Sequence, residues 1–293
     1  MKKVLAFIIV LLPFMVCAQV AVVSPPQEME RAFVYDSLTN VIEAKHIQAY
    51  IGQQLQFLPP RYNLGYSGIY GYKKGKKTEE RPKQEELEGK VFTIVDYTTI
   101  EFAGTTSYYL ILQNPTTKKE YFYILATDAD MVFSDIILLG YQEKFVRTHK
   151  DKIYVWKGPG KDLQDMEVSN KVPIKPNECL KFHNLIYNSK ERELGYQFTD
   201  MNGSMVYISK IDFKLSLLEK EKYDEYIARF DEASVRRAMA GDYWVGMDED
   251  LLFLSQGYPD HTNRTSYNKQ LVYRTRSTIR CFYVEGGKVT AWN

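Results

Sequence analysis

The side chains best suited to metal binding or acid–base catalysis are four histidines scattered along the chain. They share no metal-ligand spacing such as H-E-x-x-H or H-x-H. Cys179 and His183 are close enough in sequence to suggest a thiol–imidazole pair. On a strand, however, an i to i+4 spacing separates two residues by about 13 Å, which is too far for proton transfer. The sequence therefore predicts neither a metal centre nor a thiol nucleophile at His46, His149, His183 or His261.

Three further motifs contain residue types found in active sites but lack the rest of the pattern. Gly65-Tyr66-Ser67-Gly68 resembles part of a nucleophile elbow, without the glycine that should stand two residues after the serine. Asp128 and Asp130 supply two carboxylates, whereas calcium takes about six to eight oxygens. Gly158-Pro159-Gly160-Lys161 lacks the spacing of a phosphate-binding loop. We therefore predict that the protein is not an enzyme and holds no metal or cofactor. A hydrolase with an unrecognised site is the third hypothesis.

The N-terminal segment has the parts of an export signal. Lys2-Lys3 is followed by the apolar run Val4–Val16, and Cys17-Ala18 completes a small-residue cleavage site. The apolar run has about 13 residues, whereas a membrane-spanning helix needs about 20. Residues 1–18 are therefore predicted to be a cleaved signal peptide, with no transmembrane span in the mature chain. Lipidation of Cys17, as in a bacterial lipoprotein, is the alternative.

Composition limits the classes of partner and favours one kind of fold. The formal net charge of +1 leaves no electrostatic footprint for nucleic acid or anionic lipid. Aromatic residues make up 14% of the chain, which favours β structure because such side chains pack well on pleated surfaces. Cys179 and Cys281 lie in apolar alternation and are interpreted as core residues of separate domains. A single disulfide between them is the alternative.

A repeat with a spacing of 88 residues relates two segments of the chain. Each copy is predicted to contain a short helix or turn and then several strands, because apolar runs of strand length are bounded by polar turns. Short antiparallel strands must close or pair to hide their edges, which favours two small β-barrel-like units. The aligned segments are Ile51–Leu58 with Leu139–Val146, Val91–Ile94 with Cys179–Phe182, Tyr108–Leu110 with Tyr196–Phe198, and Asn114–Thr116 with Asn202–Ser204.

The last part of the chain has helix and strand signals in a different order. Residues 216–240 have apolar side chains at the three- and four-residue spacing of a helix. Asp248 is a suitable N-cap for a second, shorter helix, whose acidic first turn complements the helix dipole. Gly257 ends that helix and Pro259 prevents it from resuming. Three strands are expected near Gln270–Thr275, Thr278–Glu285 and Lys288–Trp292.

These patterns together predict an α+β, β-rich fold. Two duplicated small antiparallel β-barrel-like units are followed by a helix-helix-strand-strand-strand domain. The predicted divisions are a signal peptide at 1–18, an N-terminal tether at 19–42, β-rich units at 43–128 and 129–215, and the two-helix, three-stranded-sheet domain at 216–293.

The C-terminal span Ser234–Asn293 resembles the SmpA/OmlA-type small outer-membrane assembly lipoprotein domain. The resemblance rests on Val245-Gly246-Met247, the leucine-rich short helix, Gly257-Tyr258-Pro259 and the hairpin at Gly286-Gly287-Lys288-Val289. That domain is similar to one half of the β-lactamase-inhibitor protein fold. The resemblance implies a binding or scaffolding module, and it carries no catalytic residues over to this chain. It covers about a fifth of the sequence.

The leading hypothesis is an exported, non-enzymatic protein of a bacterial envelope that binds another envelope protein or acts as a scaffold. Its location would be periplasmic, or associated with the outer membrane or the cell exterior. Aromatic side chains anchor protein interfaces, and several are concentrated near the C-terminus. The alternative is a glycan-binding protein with a tyrosine stacking platform. The candidate partner-binding residues are Tyr243, Trp244, Tyr258, Tyr273, Tyr283 and Trp292, and the candidate glycan-stacking residues are Tyr62, Tyr66, Tyr70 and Tyr72.

Overall fold

The computed structural model describes residues 39–60, 66–125, 131–132, 135–166, 170–264, 268–275 and 278–293. These residues belong to one compact unit. The predicted signal peptide, Tyr62 and the pair Asp128 and Asp130 lie outside the described residues. Strands hold 45% of the residues and helices 23%, which confirms the predicted strand-rich α+β fold.

The first part of this unit is a curled antiparallel sheet of seven strands. A 3₁₀ helix at Ala44–Tyr50 precedes it, and a one-turn helix, α1 (Gln84–Leu87), interrupts it. The strands in chain order are β1 (Val41–Ile42), β2 (Gln54–Phe57), β3 (Ile69–Lys73), β4 (Lys76–Lys77), β5 (Val91–Phe102), β6 (Thr105–Gln113), β7 (Glu120–Ile124), β8 (Met131–Val132) and β9 (Ile136–Leu138). β1 and β8 pair with each other, and the sheet order is β4-β3-β7-β6-β5-β2-β9.

The second part is another curled antiparallel sheet of seven strands. It begins with helix α2 (Leu139–His149), and helix α3 (Lys210–Ser216) precedes its last strand. The strands are β10 (Ile153–Trp156), β11 (Lys161–Asp165), β12 (Lys171–Ile174), β13 (Cys179–Asn188), β14 (Glu193–Thr199), β15 (Met205–Ser209) and β16 (Leu217–Glu219). The sheet order is β12-β11-β15-β14-β13-β10-β16.

The two sheets have the same topology. When the seven strands of each sheet are counted in chain order, the same succession of strands runs from one edge of the sheet to the other. A β-bulge interrupts the longest strand of each sheet. It lies between Ile94 and Asp96 in β5 and between Phe182 and Asn184 in β13. These two bulges have the predicted spacing of 88 residues. The predicted alignment therefore places β5 and β13 in matching register.

The alignment of Ile51–Leu58 with Leu139–Val146 is wrong. The first segment is a turn followed by β2, whereas the second lies within α2. Gly52 has a φ of +87°, a left-handed conformation that suits glycine and does not continue a helix. Its structural equivalent is Asp151. The N–H groups of Gly52 and Asp151 donate to the carbonyl just before the bulge in β5 and β13, at 2.7 and 3.2 Å.

The two remaining aligned pairs lie on equivalent elements. Tyr108–Leu110 lies on β6 and Tyr196–Phe198 on β14, but the two segments are out of register. Phe198 stands opposite the bulge in the second sheet, and the residue at that position in the first sheet is Leu112, whereas the alignment predicted Leu110. Asn114–Thr116 and Asn202–Ser204 lie in the hairpin turns that follow these strands. The two sheets thus agree more closely in their pattern of strand pairing than in their sequences.

Aromatic side chains fill the inner face of each sheet. In the first sheet Phe92 packs edge-to-face on both Phe57 and Tyr121, with ring centroids 5.4 Å apart in each case. In the second sheet Phe182 and Phe198 make the same contact at 5.4 Å. Such pairs stabilise a fold by about 0.5–1.5 kcal/mol each beyond their buried area. The high aromatic content therefore serves the interior of the two sheets.

The third region combines three helices with a four-stranded antiparallel sheet. The predicted helix over 216–240 is divided, because Phe230 has an extended backbone and the Asp231 side chain accepts a hydrogen bond from the Ser234 N–H as a new N-cap. The polar strand β17 was not predicted, since it lacks apolar alternation. The elements are α4 (Lys220–Arg229), α5 (Glu232–Met239), α6 (Glu249–Gln256), β17 (His261–Arg264), β18 (Asn268–Arg274), β19 (Ile279–Glu285) and β20 (Lys288–Trp292), with sheet order β17-β18-β19-β20.

The local signals that define α6 are confirmed. Asp248 is the N-cap, and its side chain accepts a hydrogen bond from the Asp250 N–H at 3.0 Å. Gly257 ends the helix with a φ of +81°. The acidic residues there are accounted for by helix capping, so they require no ligand.

One hydrophobic core joins the third region to the second sheet. Val155 on β10 has Cys179 and Leu218 as its cross-strand neighbours, and this row packs against the core built by α4, α5, α6 and the C-terminal sheet. We call this the third core. No helix among the described residues has the length and apolar content needed to cross a membrane.

Both large sheets extend past the predicted boundaries at residues 128 and 215. The edge strand β9 belongs to the first sheet and the edge strand β16 to the second. Residues 40–42 of the predicted tether are also part of the fold, since the Ile42 side chain is fully buried and Asn40 is 7% exposed. The Asn40 amide donates to the Ile136 carbonyl at 2.8 Å and accepts from the Leu138 N–H at 2.9 Å.

We expect Asn40→Leu to lower the free energy of unfolding by about 2–4 kcal/mol, because it leaves a buried carbonyl and a buried N–H of β9 without partners. Urea denaturation measures this loss. The same change at the exposed Asn170 is the control and should have little effect. Equal stability of the two variants would contradict the role given to Asn40.

Candidate functional site

Three of the six predicted partner-binding residues build the wall of the third core. Tyr243 and Tyr273 pack edge-to-face on the buried Phe282, at 5.0 and 5.5 Å. Trp292 packs on Tyr243 at 5.2 Å. The Tyr273 hydroxyl donates to the Gly257 carbonyl at 2.9 Å, and burial raises the pKa of this phenol. Tyr243 and Tyr273 pack against the third core and support the C-terminal sheet, whereas Trp292 is 40% exposed.

The other three predicted residues lie apart from one another. Trp244 is half-buried under the guanidinium of Arg237, which is 4.3 Å from the ring centroid. Tyr258 is 86% exposed and contacts Phe253 beside the end of α6. Tyr283 is on the opposite face of the C-terminal sheet from Phe282 and is 40% exposed. The six residues therefore do not form one surface.

The exposed face around Tyr283 consists of the side chains that alternate with the core residues Leu271, Phe282 and Val284. We call it the outer sheet face. Ile279 on this face is 62% exposed. Its centre is uncharged, whereas Arg274 and Glu285 lie towards opposite ends. Between these ends lie Asn263, Gln270, Tyr283 and Ala291 together with the buried Val272 and Cys281, and His261 stands opposite Val272.

Hydrogen bonds connect the side chains of this face across three strands. The Asn263 amide donates to the Gln270 carbonyl oxygen at 2.8 Å. The Gln270 amide in turn donates to the Tyr283 hydroxyl at 3.2 Å. These contacts hold a row of polar groups flat on the sheet, and the exposed apolar Ile279 lies towards one end of the same face. The result is a surface with both hydrogen-bonding and apolar parts.

The described tyrosines of the predicted glycan platform do not share one surface. The Tyr66 ring packs edge-to-face on the buried Phe57 at 5.1 Å, and its hydroxyl donates to the Leu58 carbonyl at 2.6 Å. Tyr70 and Tyr72 are on the other face of β3, where Tyr72 stacks near Phe122. Lys77 lies 3.9 Å above the Tyr70 ring. Tyr62 lies outside the described residues.

The cysteines and the histidine near them have separate environments. Both thiols are free. Cys179 packs against the third core, and Cys281 lies on the outer sheet face. The His183 ring nitrogen Nε2 is hydrogen-bonded to the Thr199 hydroxyl at 2.5 Å. Within the described part of the chain, no three His, Cys, Asp or Glu side chains come together as ligands of a metal would.

A polar network not predicted from the sequence lies at the edge of the second sheet. The Nδ1 of His149, at the end of α2, is 2.5 Å from the Tyr154 hydroxyl. That hydroxyl is 3.5 Å from Oε1 of Glu219, its direct cross-strand neighbour on β16. Lys152 donates to the same oxygen at 3.0 Å. Imidazole, phenol, carboxylate and ammonium groups are thus connected over a short distance.

Aromatic rings hold this network in place. Phe213 of α3 is 5.7 Å from the His149 ring, 5.5 Å from the Tyr154 ring and 4.3 Å from the Tyr196 ring. Phe145, one turn before His149 on α2, stacks on Tyr196 at 5.2 Å. Side chains surrounded in this way have few alternative rotamers, so the polar groups are fixed before any ligand arrives.

Burial determines the charge states in this network. It lowers the pKa of His149, and the nearby Lys152 lowers it further, whereas Glu219 acts in the opposite direction. Burial raises the pKa of Tyr154, and Glu219 raises it further. At neutral pH the imidazole and the phenol are therefore both uncharged.

A cavity of 410 Å³ opens beside the network. Its lining includes His149, Tyr154, Phe213, Leu217, Glu219 and Lys222. We call it the inner-face cavity. Sequence reasoning missed it because Glu219 is far from His149 and Tyr154 in the chain, and only the pairing of β10 with β16 brings them together.

Comparisons of this chain with protein-family models, with curated proteins and with solved structures found no match.

We expect stability to fall as the pH is lowered from 7 to 5, in part because of His149. Its folded pKa is depressed below the unfolded value of about 6.5, so the unfolded chain binds more protons in this window. The contribution is present above the unfolded pKa and is lost as the pH falls through the folded pKa. Urea denaturation at several pH values should show a smaller decrease for His149→Phe than for the natural chain. The matched change at the exposed His261 should leave the decrease as it is, and an unchanged slope in His149→Phe would refute this assignment.

Proposed function

We propose that this chain is an exported, non-enzymatic binding protein of a bacterial envelope, and that it binds another protein through the outer sheet face. The observation that carries the proposal is the uncharged row of Asn263, Gln270 and Tyr283, together with the exposed Ile279, which lies beside Arg274 at one end of the same face. The cores of protein interfaces are depleted of charged residues and enriched in tyrosine. The earlier set of six aromatic residues is thereby reduced to Tyr283 as the anchor.

The side-chain chemistry of this face favours a protein partner over a flat apolar surface such as a lipid. The amides of Asn263 and Gln270 and the Tyr283 hydroxyl offer donors and acceptors in fixed positions. Ile279, which is 62% exposed, supplies apolar area at one end of the face. An interface needs both, because hydrogen bonds set specificity and apolar burial supplies affinity.

Two further proposals concern the origin of the molecule. We propose that the two seven-stranded sheets derive from a duplication, which is supported by their common strand order and by the matching bulges. We also propose that the C-terminal region is related to the SmpA/OmlA-type domain. The helix α6 capped at Asp248 and ended at Gly257, followed by the β19–β20 hairpin, supports this relation.

A photo-crosslinking residue placed at Tyr283 of the exported chain should capture a partner protein in the bacterial envelope. The change Ile279→Glu, which puts a charge into the apolar part of the face, should reduce this capture at least about tenfold. Mass spectrometry of the crosslinked product measures the effect.

The matched control is Ile211→Glu on α3. This isoleucine is 70% exposed, and its helix belongs to the second sheet and not to the C-terminal sheet. It should leave capture unchanged. If both variants capture the partner as the natural chain does, or if no partner is captured, the proposed function is wrong.

The export proposal has its own test. The mature protein isolated from cells should begin at Gln19, because a signal peptidase is predicted to cleave after the small residue Ala18. The intact mass of the purified protein reveals the cleavage site. A chain that keeps its N-terminal Met, or one that begins at a lipid-modified Cys17, would contradict simple cleavage.

A further inference from the structure

The inner-face cavity has the size and the lining of a small-molecule site. Ligand cavities typically measure about 300–1,000 Å³ and combine apolar walls with a few convergent polar groups. This cavity measures 410 Å³ and has the Phe213 ring and the Leu217 side chain among its walls. The polar groups at its edge belong to His149, Tyr154 and Glu219. The cavity is separate from the outer sheet face, so this inference does not rest on the proposed protein partner.

The polar groups at the cavity retain capacity for hydrogen bonds to a ligand. Within the described chain, both Lys152 and Tyr154 bind the same carboxylate oxygen of Glu219, its Oε1. The second oxygen, Oε2, is available as an acceptor. His149 contacts Tyr154 through Nδ1, so its other ring nitrogen, Nε2, takes no part in that contact. A carboxylate and an imidazole, each with an atom outside these contacts, are therefore both part of the cavity lining.

The charges around the cavity are already balanced. Lys152 neutralises Glu219 at 3.0 Å. Lys222 is paired with Glu225 at 2.6 Å. Burial and Lys152 hold the pKa of His149 below its usual range, so the imidazole is neutral at pH 7. A cationic or an anionic ligand would have to compete with an existing ion pair, whereas a neutral ligand would not.

We propose that the inner-face cavity binds a neutral pyranose sugar, either free or at the end of a glycan. A pyranose has one face of C–H groups, which can stack on the Phe213 ring, and a rim of hydroxyl groups. Those hydroxyls can donate to Oε2 of Glu219 and exchange hydrogen bonds with His149. The ligand class matches the cavity in shape, in charge and in hydrogen-bonding capacity. This proposal places glycan binding on the second sheet, at residues other than the tyrosines predicted from the sequence.

The test is a titration of the mature chain by calorimetry, with ligand-observed NMR as a second readout. The probes are the methyl pyranosides of glucose, galactose and mannose, together with N-acetylglucosamine. Glucosamine and glucuronic acid, which have similar size but carry a charge, are the comparators. At least one neutral probe should bind, and it should bind more tightly than its charged counterpart.

Two substitutions place the binding at the cavity. Phe213→Leu removes the stacking ring and Glu219→Gln removes the charged acceptor, and each should weaken binding about tenfold or more. The controls are Phe253→Leu in the third core and Glu232→Gln, whose carboxylate pairs with Arg236 on the surface of α5. Neither control should change the affinity. Glu219 is partly exposed, so Glu219→Gln still tests the site if Phe213, which packs among several other rings, proves necessary for folding.

Three results would overturn the proposal. The first is no binding of any neutral probe at about 10 mM, a concentration that detects dissociation constants in the millimolar range. The second is tighter binding of a charged comparator. The third is unchanged affinity in both Phe213→Leu and Glu219→Gln, which would place the sugar elsewhere on the molecule.

Discussion

The antiparallel pairing of β10 with β16 is the interaction on which the rest of this structure depends. Because side chains alternate along a strand, this pairing builds two different rows. Tyr154 and Glu219 form one row beside the inner-face cavity, and Val155 and Leu218 form the other row against the third core. A shift of one residue in register would exchange the two rows and put a carboxylate into a hydrophobic core.

The same arrangement explains how successive parts of the chain are joined. Each seven-stranded sheet ends in a short edge strand, and that strand runs directly into the helix that begins the next part. β9 is followed at once by α2, and β16 by α4. Helices therefore follow the places where a sheet has an open edge, and covering such edges prevents pairing with other chains. The parts of the molecule are linked through shared strands and helices, without long connecting segments.

The fold could be predicted where the signals were local. Asp248 and Gly257 specify the start and the end of α6 through their own backbone and side-chain chemistry, and the strands β18 to β20 follow apolar alternation. The predicted 88-residue alignment agrees with the structure at β5 and β13, where both segments are strands with a bulge at the same aligned position. It failed at the leading helices, because the glycines that were aligned have different backbone conformations in the two copies.

The candidate site could not be predicted in the same way. Tyr154 and Glu219 are far apart in sequence, and nothing in the residues around either one indicates the other. The sequence analysis searched for histidines with a regular spacing. His149 belongs to the candidate site because it contacts Tyr154, which pairs with Glu219 in the folded chain. The aromatic residues near the C-terminus were recognised as important, but two of them, Tyr243 and Tyr273, pack on Phe282 against the third core. Composition alone does not distinguish a ring that supports a sheet from a ring that is offered to a partner.

The row of Cys179, Val155 and Leu218 has a consequence for how the C-terminal region is regarded. Part of the hydrophobic interior of that region is supplied by strands that come earlier in the chain. A fragment that begins at residue 220 would lack the part of this interior that Val155, Cys179 and Leu218 supply. The C-terminal region is consequently packed onto the second sheet and shares a hydrophobic core with it, so it is not a separate module.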